Sequence, residues 1–233
     1  MATSALIQAT DLHKTYRLGT VTVEALRGVT LDVQEGDFLT IVGPSGSGKT
    51  TFLNLVGALD TPSSGELSIF GKRPSDLSSR ERADLRLHSL GFVFQAYNLI
   101  PVLTARENVE FVLELQGLGR ERRQRAEEIL KQLGLAELGD RRPNELSGGQ
   151  QQRVAVARAV ASHPRLVLAD VPTANLDGEN AETLIDMMWR LNREEGITFV
   201  FSTHDPRVVR HARRVVTLAD GRVSEDEQRP PRE

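Results

Sequence analysis

Eight consecutive residues, Gly43-Pro44-Ser45-Gly46-Ser47-Gly48-Lys49-Thr50, fit the spacing G-x-x-x-x-G-K-[ST] in full. Glycines at these positions let the backbone curl until successive N–H groups point inward at an anion. A helix starting at Gly48 aims its positive dipole end at the same place. Lys49 suits the outer phosphates of a nucleotide, Thr50 offers a hydroxyl to Mg²⁺, and Thr51 completes this candidate nucleotide-binding set. The apolar run 38–42 before the loop and the helical pattern after it supply the strand–loop–helix setting this chemistry needs. A second apolar run, 166–170, ends in Asp170, the natural partner of Mg²⁺ beside Thr50. Tyr16, a lone aromatic on what reads as an early loop, offers either a packing ring or a ring to stack on adenine.

A second loop, Leu146-Ser147-Gly148-Gly149-Gln150, opens another helix. Ser147 is a good N-cap, and Gln150 three residues on completes a capping box. Two glycines in a first helical turn lower its stability. Their use would be open N–H groups at a positive helix end, suited to a further phosphate.

The elements that must position these residues follow from periodicity. Strands are expected at 6–9, 21–33, 38–42, 66–70, 91–94, 166–170, 197–202 and 214–218. Helices are expected at 48–58 and 179–193, and residues 104–163 read as almost wholly helical. Asp220-Gly221 suits a hairpin turn, and 228–233 reads as a frayed tail. Strands alternating with helices imply an α/β fold with a mainly parallel sheet covered on both faces.

The 233 residues are 39% hydrophobic and 26% charged, with net charge -3, which argues against a nucleic-acid partner. The arginine-rich stretch 119–125 reads as the solvated face of a helix, with Ile129, Leu130 and Leu133 inward. There are no cysteines, so no disulfide framework or thiolate metal site. No apolar run reaches the ~18 residues of a membrane span, and residues 1–12 lack a leader's pattern. A cytoplasmic chain is the expectation.

With these motifs in order, nearly the whole chain resembles the ATP-binding-cassette (ABC) ATPases. Residues 146–150 stand as that family's signature loop. Gln95 resembles its Q-loop glutamine, Asn175-Leu176-Asp177 its D-loop, and His204 its switch histidine. The resemblance implies a P-loop NTPase (RecA-like) core, an N-terminal antiparallel β subdomain and an inserted helical subdomain. It divides a single domain, 1–233, into a core of 1–94 and 164–233 and a helical part of 95–163. It implies ATP and Mg²⁺ as cofactors, with Thr50, Gln95 and Asp170 toward the metal and His204 and Asp177 in the catalytic set. It also implies an ATP-dependent head-to-tail homodimer, each cradle facing the partner's Ser147, Gly148, Gly149 and Gln150. Residues 57–65 and 97–109 are similar to the lipoprotein-release, macrolide-export and cell-division branch. The implied partner is an integral membrane permease, which would hold the chain at the inner face of the plasma membrane. The apolar residues Tyr97, Leu99, Ile100 and Pro101 are the candidate docking loop.

One position departs from the family. After the strand aspartate the family places a glutamate that serves as general base, and here stands Val171. Valine has no atom to accept a proton, so binding without efficient hydrolysis is expected. The other motifs are intact, which reads as an altered active ATPase. A non-hydrolysing nucleotide switch is the alternative. A soluble ABC factor is a third reading, although such factors usually carry two cassettes or a long coiled-coil insertion.

Overall fold

The computed structural model describes residues 5–230. Two long antiparallel strands, β1 (Ile7–Leu18) and β2 (Val21–Val33), open the chain. β3 (Phe38–Val42) and the helix α1 (Lys49–Val56) flank the glycine-rich loop. β4 (Ser64–Ile69) returns to pair with β1, and α2 (Ser79–Ser89) leads into β5 (Leu90–Val93). Three helices follow, α3 (Ala105–Leu115), α4 (Glu121–Gln132) and α5 (Gly148–Val160). The chain then alternates β6 (Leu166–Asp170), α6 (Gly178–Glu195), β7 (Thr198–Ser202) and α7 (Pro206–His211). It closes on the hairpin β8 (Arg214–Ala219) and β9 (Arg222–Gln228).

The strands form two sheets, β2-β1-β4 and β5-β6-β7-β3-β8-β9. In the larger sheet β5, β6, β7, β3 and β8 run parallel, and β9 is antiparallel to β8. Alternate side chains of a strand face opposite ways, and here each face meets its own core. Phe38, Val167, Ala169, Phe199 and Phe201 point into a core shared with α3 to α6. Leu39, Ile41, Leu168 and Val200 point into a second core with Phe52 of α1 and Ile7, Leu31 and Val33 of the smaller sheet. Both faces are covered, so these strands are largely apolar on both sides instead of alternating.

The register brings the C-terminal strand ends into one row: Asp170 pairs with Ser202, and Ser202 with Ile41. Loops at the carboxyl ends of neighbouring parallel strands are where such a sheet builds a site.

Several expectations need correction. Tyr16 is not on a loop, because β1 runs on to Leu18 and pairs Tyr16 with Val23. Two further helices, α2 and α7, have no periodicity that marks them in the sequence. α2 buries only Leu85, too weak a stripe for periodicity to find, and its signal is the capping box of Ser78 with Glu81. α7 has six residues, started by the Asp205 cap and Pro206. Residues 104–163 divide into three helices joined by turns. Gln228 is paired with Arg214, and the Arg229 N–H donates to the Arg213 carbonyl at 2.7 Å, so the chain is held at 228–229. The rest of that tail, 231–233, and the first four residues of the segment weighed as a leader lie outside the described residues. Ile129, Leu130 and Leu133 are buried as expected.

Candidate nucleotide site

The glycine-rich loop leaves β3 in a shape that only glycine permits at two points. Gly43 has φ 145°, and a Cβ there would lie 2.1 Å from the Leu218 carbonyl oxygen. Gly48 has φ 103°, and a Cβ would lie 2.5 Å from the Ala25 carbonyl oxygen. Lys49 Nζ folds back over the loop, donating to the carbonyls of Gly43 and Pro44 at 2.8 Å each. Burial lowers its pKa, and the nearby Asp170 carboxylate offsets part of that. Thr50 Oγ1 donates to Asp170 Oδ2 at 3.0 Å. The other carboxylate oxygen, Oδ1, is buried with no hydrogen-bond partner among the described residues.

An open cleft of ≈ 700 Å³ lies over this loop. Its walls gather Tyr16, Val23, the residues Gly43 to Gly46, Gly48 to Thr51, Gln95, Val171, Ser202 and His204. Ser47 lies beneath, buried, within 3.4 Å of Lys49 Nζ. Tyr16 donates its hydroxyl to Asp60 Oδ2 at 2.9 Å, and burial with Asp60 beside it raises the phenol's pKa. Gln95 and His204 are exposed on the cleft. The Gln95 carbonyl accepts from Asn175 Nδ2 at 3.0 Å, tying the two loops together.

Val171 follows β6 directly with φ 45°, a left-handed conformation that a β-branched residue rarely adopts. Its N–H donates to the Ser202 carbonyl at 2.8 Å, and its own carbonyl accepts from Ala174 N at 3.2 Å. These two bonds hold the turn in place despite the strain.

The second loop is not part of the cleft's lining. Ser147 Oγ accepts from Gln150 N at 3.3 Å, and Gln150 Oε1 accepts from Ser147 N at 2.8 Å, so the capping box is formed. The glycine pair also has a packing reason that sequence reasoning missed. A Cβ on Gly148 would meet the Tyr97 hydroxyl at 2.9 Å, and one on Gly149 would meet the Asn180 side chain at 2.9 Å. Asp177 likewise stands outside the cleft and caps α6, accepting from Asn180 N at 2.9 Å. Bonds from Asn180 pull its pKa down.

The sequence profile of the family described as ABC transporter matches residues 26–174. The chain belongs to the ABC transporter family. It is 46% identical over 228 residues to an uncharacterized ABC transporter ATP-binding protein of Methanocaldococcus jannaschii, covering 96% of this chain and 97% of that one. It is 48% identical over 219 residues to a macrolide export ATP-binding/permease protein of Syntrophobacter fumaroxidans. That match takes in 93% of this chain and only 31% of the relative. Among solved structures it is similar to a dimeric, post-hydrolysis ATP-binding cassette bound to ADP and Pi, from M. jannaschii. The TM-score is 0.90 at 44% identity, covering 97% of this chain and 100% of that one. The lipoprotein-release, macrolide-export and cell-division branch and the α/β cassette fold both hold.

Within this ABC cassette, three further groups support the site without being legible in sequence. Val23 reaches the cleft because it pairs with Tyr16 across the hairpin. Asp205 is buried and accepts from Thr173 Oγ1 at 2.7 Å and from Arg207 Nη2 at 2.8 Å. Burial pushes its pKa up, and the Arg207 and Thr173 bonds more than reverse this, to about 2. It ties the turn after Val171 to the segment carrying His204. Arg158 of α5 donates Nη2 to the Tyr97 carbonyl at 3.0 Å and Nη1 to the Asn98 carbonyl. Both residues have positive φ, so Arg158 holds a strained turn just beyond Gln95.

In the expected docking loop Leu99 is partly buried against the core, whereas Pro101 is exposed. An open groove beside this loop, ≈ 450 Å³, is lined by Leu59, Leu87, Phe92, Phe94, Asn98 and Val112, with Arg86 and Arg158 among them.

Proposed function

We propose that this cassette is the ATP-binding subunit of a membrane transporter. Two copies would close head to tail on Mg-ATP and drive a permease. The observation that carries the reading is the single cleft in which the Gly43–Thr50 loop, the Thr50–Asp170 pair and the Tyr16 ring converge. The loop's N–H groups and Lys49 bind the phosphates. The Tyr16 ring stacks on adenine, worth on the order of 1 kcal/mol.

The donor set fits Mg²⁺. A hydroxyl and a carboxylate share an edge, and Asp170 Oδ1 is a buried oxygen with no partner among the described residues. Among the described residues no group of three or more His, Cys, Asp or Glu could cage a metal. That suits a hard cation completed by phosphate oxygens and water, with Thr50 and Asp170 as protein donors and Gln95 across the cleft. Bound there, Mg²⁺ would neutralise phosphate charge.

Ser147, Gly148, Gly149 and Gln150 stand away from their own cleft, which supports their serving the nucleotide of a partner copy. The similar M. jannaschii cassette is dimeric with ADP and Pi. A permease partner is supported by the macrolide export ATP-binding/permease relative and by the apolar groove at Leu59 and Phe94. Among the described residues no helix is long and apolar enough to cross a membrane. Attachment to the inner face of the membrane would pass through the permease.

His204 lines the cleft, where it would meet the outer phosphate, while Asp177 caps the adjoining helix. Neither replaces the missing base at Val171, so hydrolysis is slow and the closed dimer long-lived. Val171 also favours a second reading, a nucleotide switch that closes without turnover. Calorimetry tests the shared part: Lys49→Ala abolishes tight Mg-ATP binding, and unchanged affinity would refute the site. Co-purification with a membrane permease supports the transporter reading, and phosphate release by Val171→Glu separates it from the switch.

A further inference from the structure

We propose that Asp60 is a positioning residue for the nucleobase. It grips the Tyr16 ring by its hydroxyl, while Lys14 covers one ring face, so that the other face is presented to adenine. The proposal rests on the reading of Tyr16 given above and adds the device that sets its orientation.

Asp60 lies on the loop directly after α1, the helix that begins at Lys49. The N–H groups of Leu59 and Asp60 both donate to the Asn54 carbonyl, at 2.9 and 3.2 Å, so the loop is fixed to the helix that carries the phosphate-binding lysine. Both carboxylate oxygens are engaged. Oδ2 accepts from the Tyr16 hydroxyl at 2.9 Å. Oδ1 accepts from Lys14 Nζ at 2.6 Å and from the Thr61 N–H at 2.7 Å. Burial would raise the carboxyl's pKa, and the Lys14, Thr61 and Tyr16 bonds bring it below its ordinary value, so it stays an acceptor.

Lys14 is 11% exposed and gives a further bond to the Thr61 carbonyl at 2.8 Å. Its ammonium stands 4.9 Å from the Tyr16 ring centroid. A cation at that distance is attracted to the negative ring face and occupies it. A base entering the cleft therefore has the opposite face, at a tilt set by the hydroxyl bond. A ring on a hairpin edge would otherwise turn about its side-chain torsions. Holding it before the base arrives removes that ordering cost from binding. The same geometry joins phosphate recognition to base recognition through one helix, with Lys49 at its start and Asp60 just past its end.

The hairpin does not depend on Asp60 for its place. Ser63 N donates to the His13 carbonyl at 2.8 Å, and Thr15 N donates to Ser63 Oγ at 3.0 Å. An Asp60 variant therefore keeps β1 against this loop and tests orientation, not folding.

The experiment is calorimetry with two ligands, ADP and ribose 5′-diphosphate, which shares the phosphates and lacks the base. Both ligands are used without added inorganic phosphate and at protein concentrations where light scattering shows a monomer, which keeps dimer closure out of the signal. Asp60→Ala should weaken ADP binding roughly three- to tenfold, within the worth of one aromatic contact, and leave ribose 5′-diphosphate unchanged. Asp60→Asn, which retains an acceptor for the hydroxyl, should recover most of the loss. Tyr16→Phe removes the hydroxyl alone and should weaken ADP selectively, with no further loss when combined with Asp60→Ala. Equal weakening of both ligands by Asp60→Ala would overturn the proposal, as would a Tyr16→Phe protein that binds ADP as tightly as the parent. Tyr16→Ala separates the two layers. If it leaves ADP affinity unchanged, the stacking reading itself fails. If it weakens ADP while Asp60→Ala does not, only the role of Asp60 fails.

Discussion

Replacing Val171 by glutamate should change two properties that the structure allows to be separated. The first is chemical. Val171 faces the cleft and brings no proton acceptor, and a positioned general base contributes about 10²–10⁴-fold. That equals about 2.7–5.4 kcal/mol of barrier. The second is conformational. Valine at φ 45° is a strained residue, and sparsely populated conformations cost of order 1–3 kcal/mol. The bonds from Val171 N to Ser202 and from Ala174 N to Val171 hold the turn whichever side chain it carries. An unbranched side chain should therefore relieve about 1 kcal/mol, a rise in Tm of roughly 2–4 °C for a chain of this size. Val171→Gln serves as the control, because it relieves the same strain without supplying a base. Steady-state phosphate release, with and without the permease, reads the chemistry, and thermal unfolding reads the strain. We expect both variants to gain stability and Val171→Glu alone to gain turnover, with the ATP-closed dimer shortened in lifetime. Equal ATPase rates for the parent and the glutamate variant would refute the general-base reasoning. Equal Tm for all three proteins would refute the strain argument.

Ser147→Arg or Gly149→Asp should block ATP-dependent dimerisation, measured by light scattering, because bulk or negative charge then meets the partner's phosphates. Gly149→Asp also collides with Asn180, so Ser147→Arg is the cleaner test. Leu59→Glu places a charge in the apolar groove, where Leu59 is 49% exposed, and should uncouple transport while ATP affinity stays within twofold. For Asp205, the drop from an ordinary 3.8 to about 2 corresponds to about 2 kcal/mol of stability. Because the folded pKa is the lower one, that contribution is complete above about pH 5 and is lost as the pH falls toward 2. The stability gap between parent and Asp205→Asn in denaturant titrations should shrink over that interval.

The phosphate loop was legible because all its determinants are adjacent in the chain. Gly43 to Thr50 curl, donate and start a helix through local backbone geometry, and the flanking run 38–42 announces its strand. The same is true of the Ser147–Gln150 capping box and of Asp170 at the end of an apolar run. The absence of a carboxylate at 171 is likewise plain in the sequence, but the left-handed backbone there is not, since valine has no preference for it. α2 escaped notice because it buries one leucine, and the long β1 strand because its polar residues hide its period.

What only the tertiary structure decided is which distant residues meet. Thr50 and Asp170 are 120 residues apart and hydrogen-bonded, because the strand order β6-β7-β3 sets their carboxyl ends in one row. Tyr16 reaches Asp60, and Arg158 reaches the Tyr97–Asn98 turn, through packing that no local spacing encodes. Sequence fixes what each short segment can do, since hydrogen bonds and torsions act over a few residues. The assembly of those segments into one cleft follows from burying the apolar faces of β3, β6 and β7 against two separate layers, a choice made by the whole chain at once.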